Sequence, residues 1–369
     1  MEYGFDSTID ALRKYMLNLR ATTLSKKYET DKAASSDIRI GYIDNIPVNR
    51  LVITLRAPGC EWVRKGGGCL MCGHYAGTTR GLKLSVKDIV TQFRNEISKY
   101  NINNIGIISI YNSGSVLNPD EIDPDALEII LRDISVIKSI RKVILESRTE
   151  YIDSERVGKL SEVIGKNRLL TIALGLETSD DKKRELCVNK GTTVSQIKAS
   201  IESLRNIATS QLYVLLGLPF LTESESIEDT VLSLRCANDI GADEIHIEPM
   251  TIQNHTLVEE LSRNGLFSLP SIYSIYEVLR RVVPEIKPYV SPFMHMPLPE
   301  KIPGGCSNCT HSMINGLLNV YNLRRDKSSL QYTQCGCIDL WREKLQERDP
   351  RSIEDRISEA LDILQGERV

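Results

Sequence analysis

The chain has no long apolar run and little aromatic content. Phenylalanine, tyrosine and tryptophan together make up 6% of its 369 residues. No stretch approaches the ~20 consecutive apolar residues that a membrane-spanning helix needs, so no membrane partner is expected. The opening residues, Met1-Glu2-Tyr3-Gly4-Phe5-Asp6, lack the charged and apolar regions of a secretory signal. A strong excess of charge is absent too. The net charge of -3 leaves a nucleic-acid partner open, because a local basic patch is enough to bind one. Cysteine is plentiful by contrast. Nine cysteines without a signal argue for a reducing cytoplasm and for metal ligation rather than disulfides.

The length allows one large domain with an appendage, or two domains. Ile9, Leu12, Met16 and Leu19 recur at helical spacing over residues 6–20. Ile38 to Ile43, then Asp44-Asn45, then Val48 onward reads as a hairpin entering a buried strand, Leu51 to Leu55. From there strands and amphipathic helices alternate. Strands are expected at 105–110, 142–146, 169–174, 212–216 and 244–247. Helices are expected to open at Ser85, Asp123-Pro124, Asp153, Thr193, Thr222 and Pro270. Continuous apolar strands alternating with helices mean a parallel sheet covered on its outer face. About six βα units are too few for a closed eight-unit barrel. The expectation is a partial (β/α)6-type parallel barrel over residues 50–300, with a doubly wound sheet as the alternative. Residues 1–49 would be a helix-and-hairpin extension, and residues 301–369 a cysteine-rich tail ending in a helix that starts at Asp349-Pro350.

Cys60, Cys69 and Cys72 stand C-x8-C-x2-C directly after the first core strand. This places the thiols at a strand's carboxyl end, where α/β sheets gather their chemistry. Thiolates are soft ligands for iron–sulfur clusters or zinc. A structural zinc site takes four closed ligands, whereas three cysteines can hold a four-iron cluster with one iron left open. Gly66, Gly67 and Gly68 are expected to let the backbone approach such a cluster closely. Buried free thiols are the plain alternative, and the residues alone do not separate iron–sulfur from zinc. Polar residues follow the other strands at the same rim: Ser113-Gly114-Ser115, Glu146-Ser147-Arg148, Gly175-Leu176-Glu177, Gly217-Leu218-Pro219 and Glu248. As a set they suit a polar cofactor.

These motifs, in this order, resemble the radical S-adenosylmethionine (SAM) superfamily, in the branch that contains the elongator catalytic subunit. The long first gap of the triad restricts the likeness to that branch. Gly59-Cys60-Glu61-Trp62 through Cys69-Leu70-Met71-Cys72-Gly73-His74-Tyr75, with paired cysteines before Trp341, is similar to the archaeosine-synthesis radical SAM lyase family. The resemblance implies that Cys60, Cys69 and Cys72 ligate a [4Fe–4S] cluster whose open iron takes SAM. It implies that Ser113, Gly114 and Ser115 meet the methionine amino end and that Glu177 reaches the ribose. Arg148 and Glu146 would contact the methionine or stand behind it. The implied reaction is cleavage of a C–N bond in a lysine adduct of the 7-deazaguanine base in the tRNA D-loop, leaving archaeosine. The implied partners are tRNA, a lysine-transferring enzyme of the same synthesis and an electron donor.

A tRNA footprint would need basic surface, and Arg13, Lys14, Arg20, Lys26, Lys27, Arg324, Arg325 and Lys327 are candidates, each more commonly an ordinary solvated charge. Cys306, Cys309, Cys335 and Cys337 form a four-thiolate set that suits structural zinc, with a second iron–sulfur cluster as the alternative. Cys187 and Cys236 read as core. Rival functions are another radical SAM tRNA modifier of methylthiotransferase type and a zinc-stabilised RNA-binding module without redox chemistry.

Overall fold

A computed structural model describes residues 5–22, 28–294 and 296–366. Eight strands make one sheet: β1 (Ser35–Ile43), β2 (Ile46–Thr54), β3 (Ile107–Tyr111), β4 (Lys142–Glu146), β5 (Leu169–Glu177), β6 (Thr209–Leu216), β7 (Glu244–Pro249) and β8 (Tyr289–Val290). Their order in the sheet is their order in the chain. β1 and β2 pair antiparallel, and every later pair is parallel. The order never reverses, so there is no switch point and the doubly wound alternative is excluded. The sheet is an open half-barrel with helices on its outer face. The hairpin turn is Asp44-Asn45, both with positive φ (51° and 62°), the twist that a tight two-residue hairpin prefers.

Local signals explain the helices. Ser85, Asp153, Thr193 and Thr222 each accept a backbone N–H from the first turn of the helix that follows. Thr193 and Thr222 complete reciprocal capping boxes with Gln196 and Glu225. The last helix departs from expectation. It is Ile353–Gln365, capped by Ser352, and the Asp349 carboxylate is instead held by Arg351 and Arg356. None of the described helices is long and apolar enough to cross a membrane.

Alternation along the strands divides the molecule into two environments. Leu51, Ile53, Ile108, Ile110, Val143, Leu145, Ile172, Leu174, Leu212, Val214 and Ile247 face outward and are buried under the helices. The residues between them line the lumen, which is largely polar: Arg50, Ser109, Tyr111, Lys142, Glu146, Gln211, Tyr213, Glu244, His246 and Glu248. A small apolar group (Ile43, Ile107, Ile144 and Ala173) interrupts this lining.

β1 and β8 are the free edges, and the tail helps to close the seam between them. Tyr42 of β1 stacks on Tyr289 of β8 with ring centres 4.7 Å apart. Asn322 accepts the Val290 N–H at 2.9 Å and donates to the Val290 carbonyl at 2.8 Å, giving an edge strand the partner it otherwise lacks. The tail is also packed into the main core. Trp341 lies 5.7 Å from Tyr273 of the outer helix Ile272–Arg281, and its indole N–H donates to Ser274. Met313, Leu317, Tyr321 and Ile338 belong to the same buried cluster as the barrel helices.

Phe93 has 0% exposure beneath the helix Val86–Ile97. Phe93→Ala is expected to cost about 3–5 kcal/mol of stability, read by denaturant unfolding as a lower midpoint at unchanged slope.

Candidate active site

The cysteine loop sits on the carboxyl rim and is tied down on every side. Cys60 precedes a short helix, Glu61–Gly66, and its N–H donates to the Ser113 carbonyl after β3 at 3.1 Å. Gly114 lies against this point. A Cβ there would meet the Cys60 backbone at 2.9 Å and the Glu121 carboxylate, so no larger residue fits. Glu121 accepts from the N–H groups of Glu61 (2.9 Å) and Ser115 (2.7 Å) and from the amides of Asn112 and Asn118 (both 3.0 Å). Burial still raises its pKa despite these donors. Ser115 is fully buried and accepts the Arg148 N–H at 3.1 Å. The Ser113-Gly114-Ser115 turn therefore joins the cysteine loop to the next strand end.

The other side of the loop is held by residues to which sequence reading did not assign that role. Asn189, in the left-handed conformation at the end of the turn Arg184–Val188, donates to the carbonyls of Gly66 (2.7 Å) and Gly68 (2.9 Å). Its own carbonyl accepts the Trp62 indole N–H at 2.6 Å. The Trp62 ring lies between Arg13 and Arg148, 5.3 and 5.5 Å from their guanidinium carbons. Arg20 of the N-terminal helix Phe5–Thr22 is 6% exposed and donates to four carbonyls: Gly67, Cys69, Cys72 and His255. A left-handed Asn and a lone buried Arg leave no periodic trace in a sequence, so neither was legible there.

The glycine run serves the protein's own packing. A Cβ on Gly66 would strike the Trp62 ring at 2.6 Å. On Gly67 it would strike Met16 of the N-terminal helix at 2.5 Å, and on Gly68 it would strike Val63 at 2.6 Å. The expected basic footprint is also reduced. Arg20 is committed to the loop, and Arg13 pairs with Glu185 at 3.0 Å. Arg325 stacks on Tyr289, and Lys327 donates to the Val282 carbonyl. Lys14 and Arg324 remain exposed, while Lys26 and Lys27 lie outside the described residues.

Charged groups converge beneath the thiols. Glu177, at a bulge in β5 with φ of 62°, receives the Lys190 ammonium at 2.7 Å. A Cβ on Gly175 would overlap both groups, so a larger residue there would displace the pair. Burial works most strongly against the Lys190 charge, and Glu177 and Cys69 together outweigh it, so the ammonium is held above its usual range. Arg148 pairs with Glu150 at 2.6 Å and donates to the Lys190 carbonyl at 2.9 Å. Burial pushes the Cys60 thiol up to about 12 and Cys69 to about 11, and raises Cys72. Arg148 opposes the shift at Cys60, Lys190 at Cys69 and Arg20 at Cys72. Burial also lifts Glu146 and Glu248 to about 7, and the Ser291 hydroxyl donates to Glu248. Ser113, Gly114, Ser115, Glu146, Arg148 and Glu177 thus all lie at the rim that carries the three thiols. Glu121, Asn189, Lys190 and Glu248 join them there.

The four tail thiols form a tighter group. Their sulfur atoms all lie within 4.8 Å of one another, and among the described residues no other set of three or more candidate ligands meets that spacing. Cys306 is 3.5 Å from Cys309 and 3.4 Å from Cys335, close to the ~3.8 Å separation of sulfurs around one tetrahedral zinc. Hydrogen bonds from the Cys309 backbone and the neighbouring thiols pull Cys306 down to about 6. Gly305 makes room, since a Cβ there would lie 2.9 Å from the Cys309 sulfur. The rim triad has wider spacing than one ion requires. Of the remaining cysteines, Cys187 is fully buried and Cys236 half-buried.

Two outcomes follow. Arg20→Leu leaves the loop carbonyls without donors and is expected to destabilise the metal-free protein by about 3 kcal/mol, measured by denaturant unfolding. Glu146 and Glu248 bind protons more tightly folded than unfolded, so their contribution is largest below their ordinary value of 4.5 and falls as pH rises toward 7. Glu248→Gln is expected to flatten that part of the stability–pH curve of the metal-free protein.

No protein-family model matches the chain. It is 29% identical over 346 residues to archaeosine synthase subunit beta of Methanosarcina acetivorans, covering 92% of this chain and 97% of that protein. It is 26% identical over 306 residues to the subunit of the same name from Thermococcus kodakarensis, covering 81% and 93%. Among solved structures, methylornithine synthase resembles it with a TM-score of 0.49 at 15% identity, over 99% of this chain and 94% of that one. Elp3 of Methanocaldococcus infernus resembles it with a TM-score of 0.47 at 15% identity, over 65% and 59%. The chain is thus similar over most of its length to archaeosine synthase subunit beta of two archaea, and its fold is an open half-barrel of eight mostly parallel strands.

Proposed function

We propose that the protein is a radical SAM enzyme of tRNA modification, the C–N lyase that converts a lysine adduct of the D-loop 7-deazaguanine to archaeosine. The observation that carries the reading is three half-buried thiols at the rim of a half-barrel with a charged lumen, in a chain similar over most of its length to archaeosine synthase subunit beta. The donor set fits a [4Fe–4S] cluster. Three thiols, spaced too widely for one ion and held protonated by burial, need a cationic partner to become thiolates. Such a cluster, reduced by an external electron donor, would supply one-electron cleavage of bound SAM and so hydrogen-atom removal from the lysine side chain.

The chain's own residues bind and orient. Cys60, Cys69 and Cys72 hold the cluster, and Arg20 and Asn189 fix the loop's carbonyls so that the thiols keep their spacing. The Ser113-Gly114-Ser115 turn would meet the methionine amino end, and Glu146 and Arg148 would contact the methionine or stand behind it. Glu177, held by Lys190, would reach the ribose. The lumen keeps water from the radical and orients the lysine chain. Cys306, Cys309, Cys335 and Cys337 hold a structural zinc that fixes the tail against the barrel. A lysine-transferring partner subunit and an electron donor complete the system.

The test is anaerobic reconstitution with iron and sulfide, then incubation with SAM, reductant and tRNA bearing the lysine adduct. Archaeosine and 5′-deoxyadenosine are expected, and a methylthio nucleoside would overturn the lyase assignment. Cys72→Ala is expected to abolish 5′-deoxyadenosine formation while zinc content is kept. Cys309→Ser is expected to lose zinc and lower Tm while the rim iron stays.

A further inference from the structure

The lumen floor carries a feature that the cluster and SAM do not use. Gln211 on β6 has 0% exposure, and neither its amide oxygen nor its amide nitrogen has a hydrogen-bond partner. Leaving both atoms of a buried amide unpaired is costly, so a structural role does not account for this residue. It lines a cavity of about 200 Å³ that lies at the seam between β1 and β8. Charges of both signs surround the amide. Lys142 pairs with Glu244, Arg39 pairs with Asp37 at 2.8 Å, and Arg50 lies beside them. A simple anion would meet Glu244 and Asp37, and a simple cation would meet Lys142, Arg39 and Arg50. An amide that can donate and accept, in one cavity with ammonium, guanidinium and carboxylate groups, is matched by a group carrying both charges.

The lining above the floor changes with height. Along β4 the inward residues are Lys142, Ile144 and Glu146, and along β7 they are Glu244, His246 and Glu248. Floor and rim are about 13 Å apart by the rise of four strand residues. Ile107, Ile144 and Ala173 make the apolar band between them. This sequence of linings suits a ligand with a zwitterionic end, a short methylene chain and a reacting end at the rim.

We propose that the lumen floor is a recognition site for the α-ammonium and α-carboxylate of an amino-acid side group, with Gln211 as its central specificity residue. The inference rests on the function proposed above in taking that group to be the lysine of the tRNA adduct, which would thread from the rim toward the seam. Gln211 does not touch the reacting carbon; it positions it.

The test uses the full-length protein and free L-lysine as the probe, by isothermal titration. Saturable binding is expected, weakened about tenfold or more for cadaverine, which lacks the carboxylate, for N-α-acetyl-L-lysine, and for Gln211→Leu. Because Gln211→Leu removes two unpaired polar atoms, its Tm is expected to stay level or rise, whereas loss of a structural glutamine would lower it. Cadaverine binding as tightly as lysine would overturn the proposal. So would a destabilised Gln211→Leu protein that binds lysine as wild type does, or a cavity that takes up no lysine. Assays with adduct-bearing tRNA separate this idea from the reaction. Archaeosine formation with a KM unchanged by Gln211→Leu would reject the floor site alone. Gln211-dependent lysine binding without any turnover would reject the reaction and retain the site.

Discussion

Everything in this half-barrel depends on keeping charged side chains out of bulk water. A parallel sheet buries both of its faces, and here the inner face carries Arg50, Lys142, Glu146, Glu244 and Glu248 rather than aliphatic residues. Isolated charges in such a space are costly, so each must find a partner or give up its charge. Lys142 and Glu244 take the first route across the lumen, as do Lys190 and Glu177 at the rim. Glu146 and Glu248 lean toward the second. A lumen organised in this way is poor as a core and suited to holding a polar ligand.

That arrangement shifts stability to the outer layer and to the appendages. The helices cover one aliphatic face, and the two ends of the chain do the rest. The N-terminal helix sends Arg20 into the cysteine loop, where it satisfies carbonyls that a wide turn leaves open. The tail sends Asn322 to the unpaired edge of β8 and stacks Trp341 on Tyr273. Both segments look like additions in the linear chain, yet each completes a hydrogen-bonding requirement of the barrel. The four tail thiols lie one helix away from Asn322, so a metal bound there would brace the seam at a distance.

Much of the architecture was legible in the chain. Caps at Ser85, Asp153, Thr193 and Thr222, and apolar runs such as Val143 to Leu145, are local signals whose physics acts within a few residues. The cysteine spacings were legible because ligand geometry limits the chain between ligands. The packing role of the triglycine was not legible. The run faces Trp62, Met16 and Val63, and contacts of that kind come from elements far apart in sequence. Arg13 and Arg20 were read as surface for the same cause, since a charge on a helix gives no sign of its partner until the helix docks.

The sequence by itself determined the alternation of strand and helix, the two cysteine sets and the polar residues at the strand ends, because period, capping and ligand spacing are local. The tertiary structure bore out the expected partial barrel by running the strands in unbroken order, which removed the doubly wound alternative. It also brought Asn189, Lys190 and Glu121 around the thiols and left Gln211 unpaired in the lumen. Those outcomes depend on which distant groups share a dry space and what each needs from the others, and no stretch of chain carries that information alone.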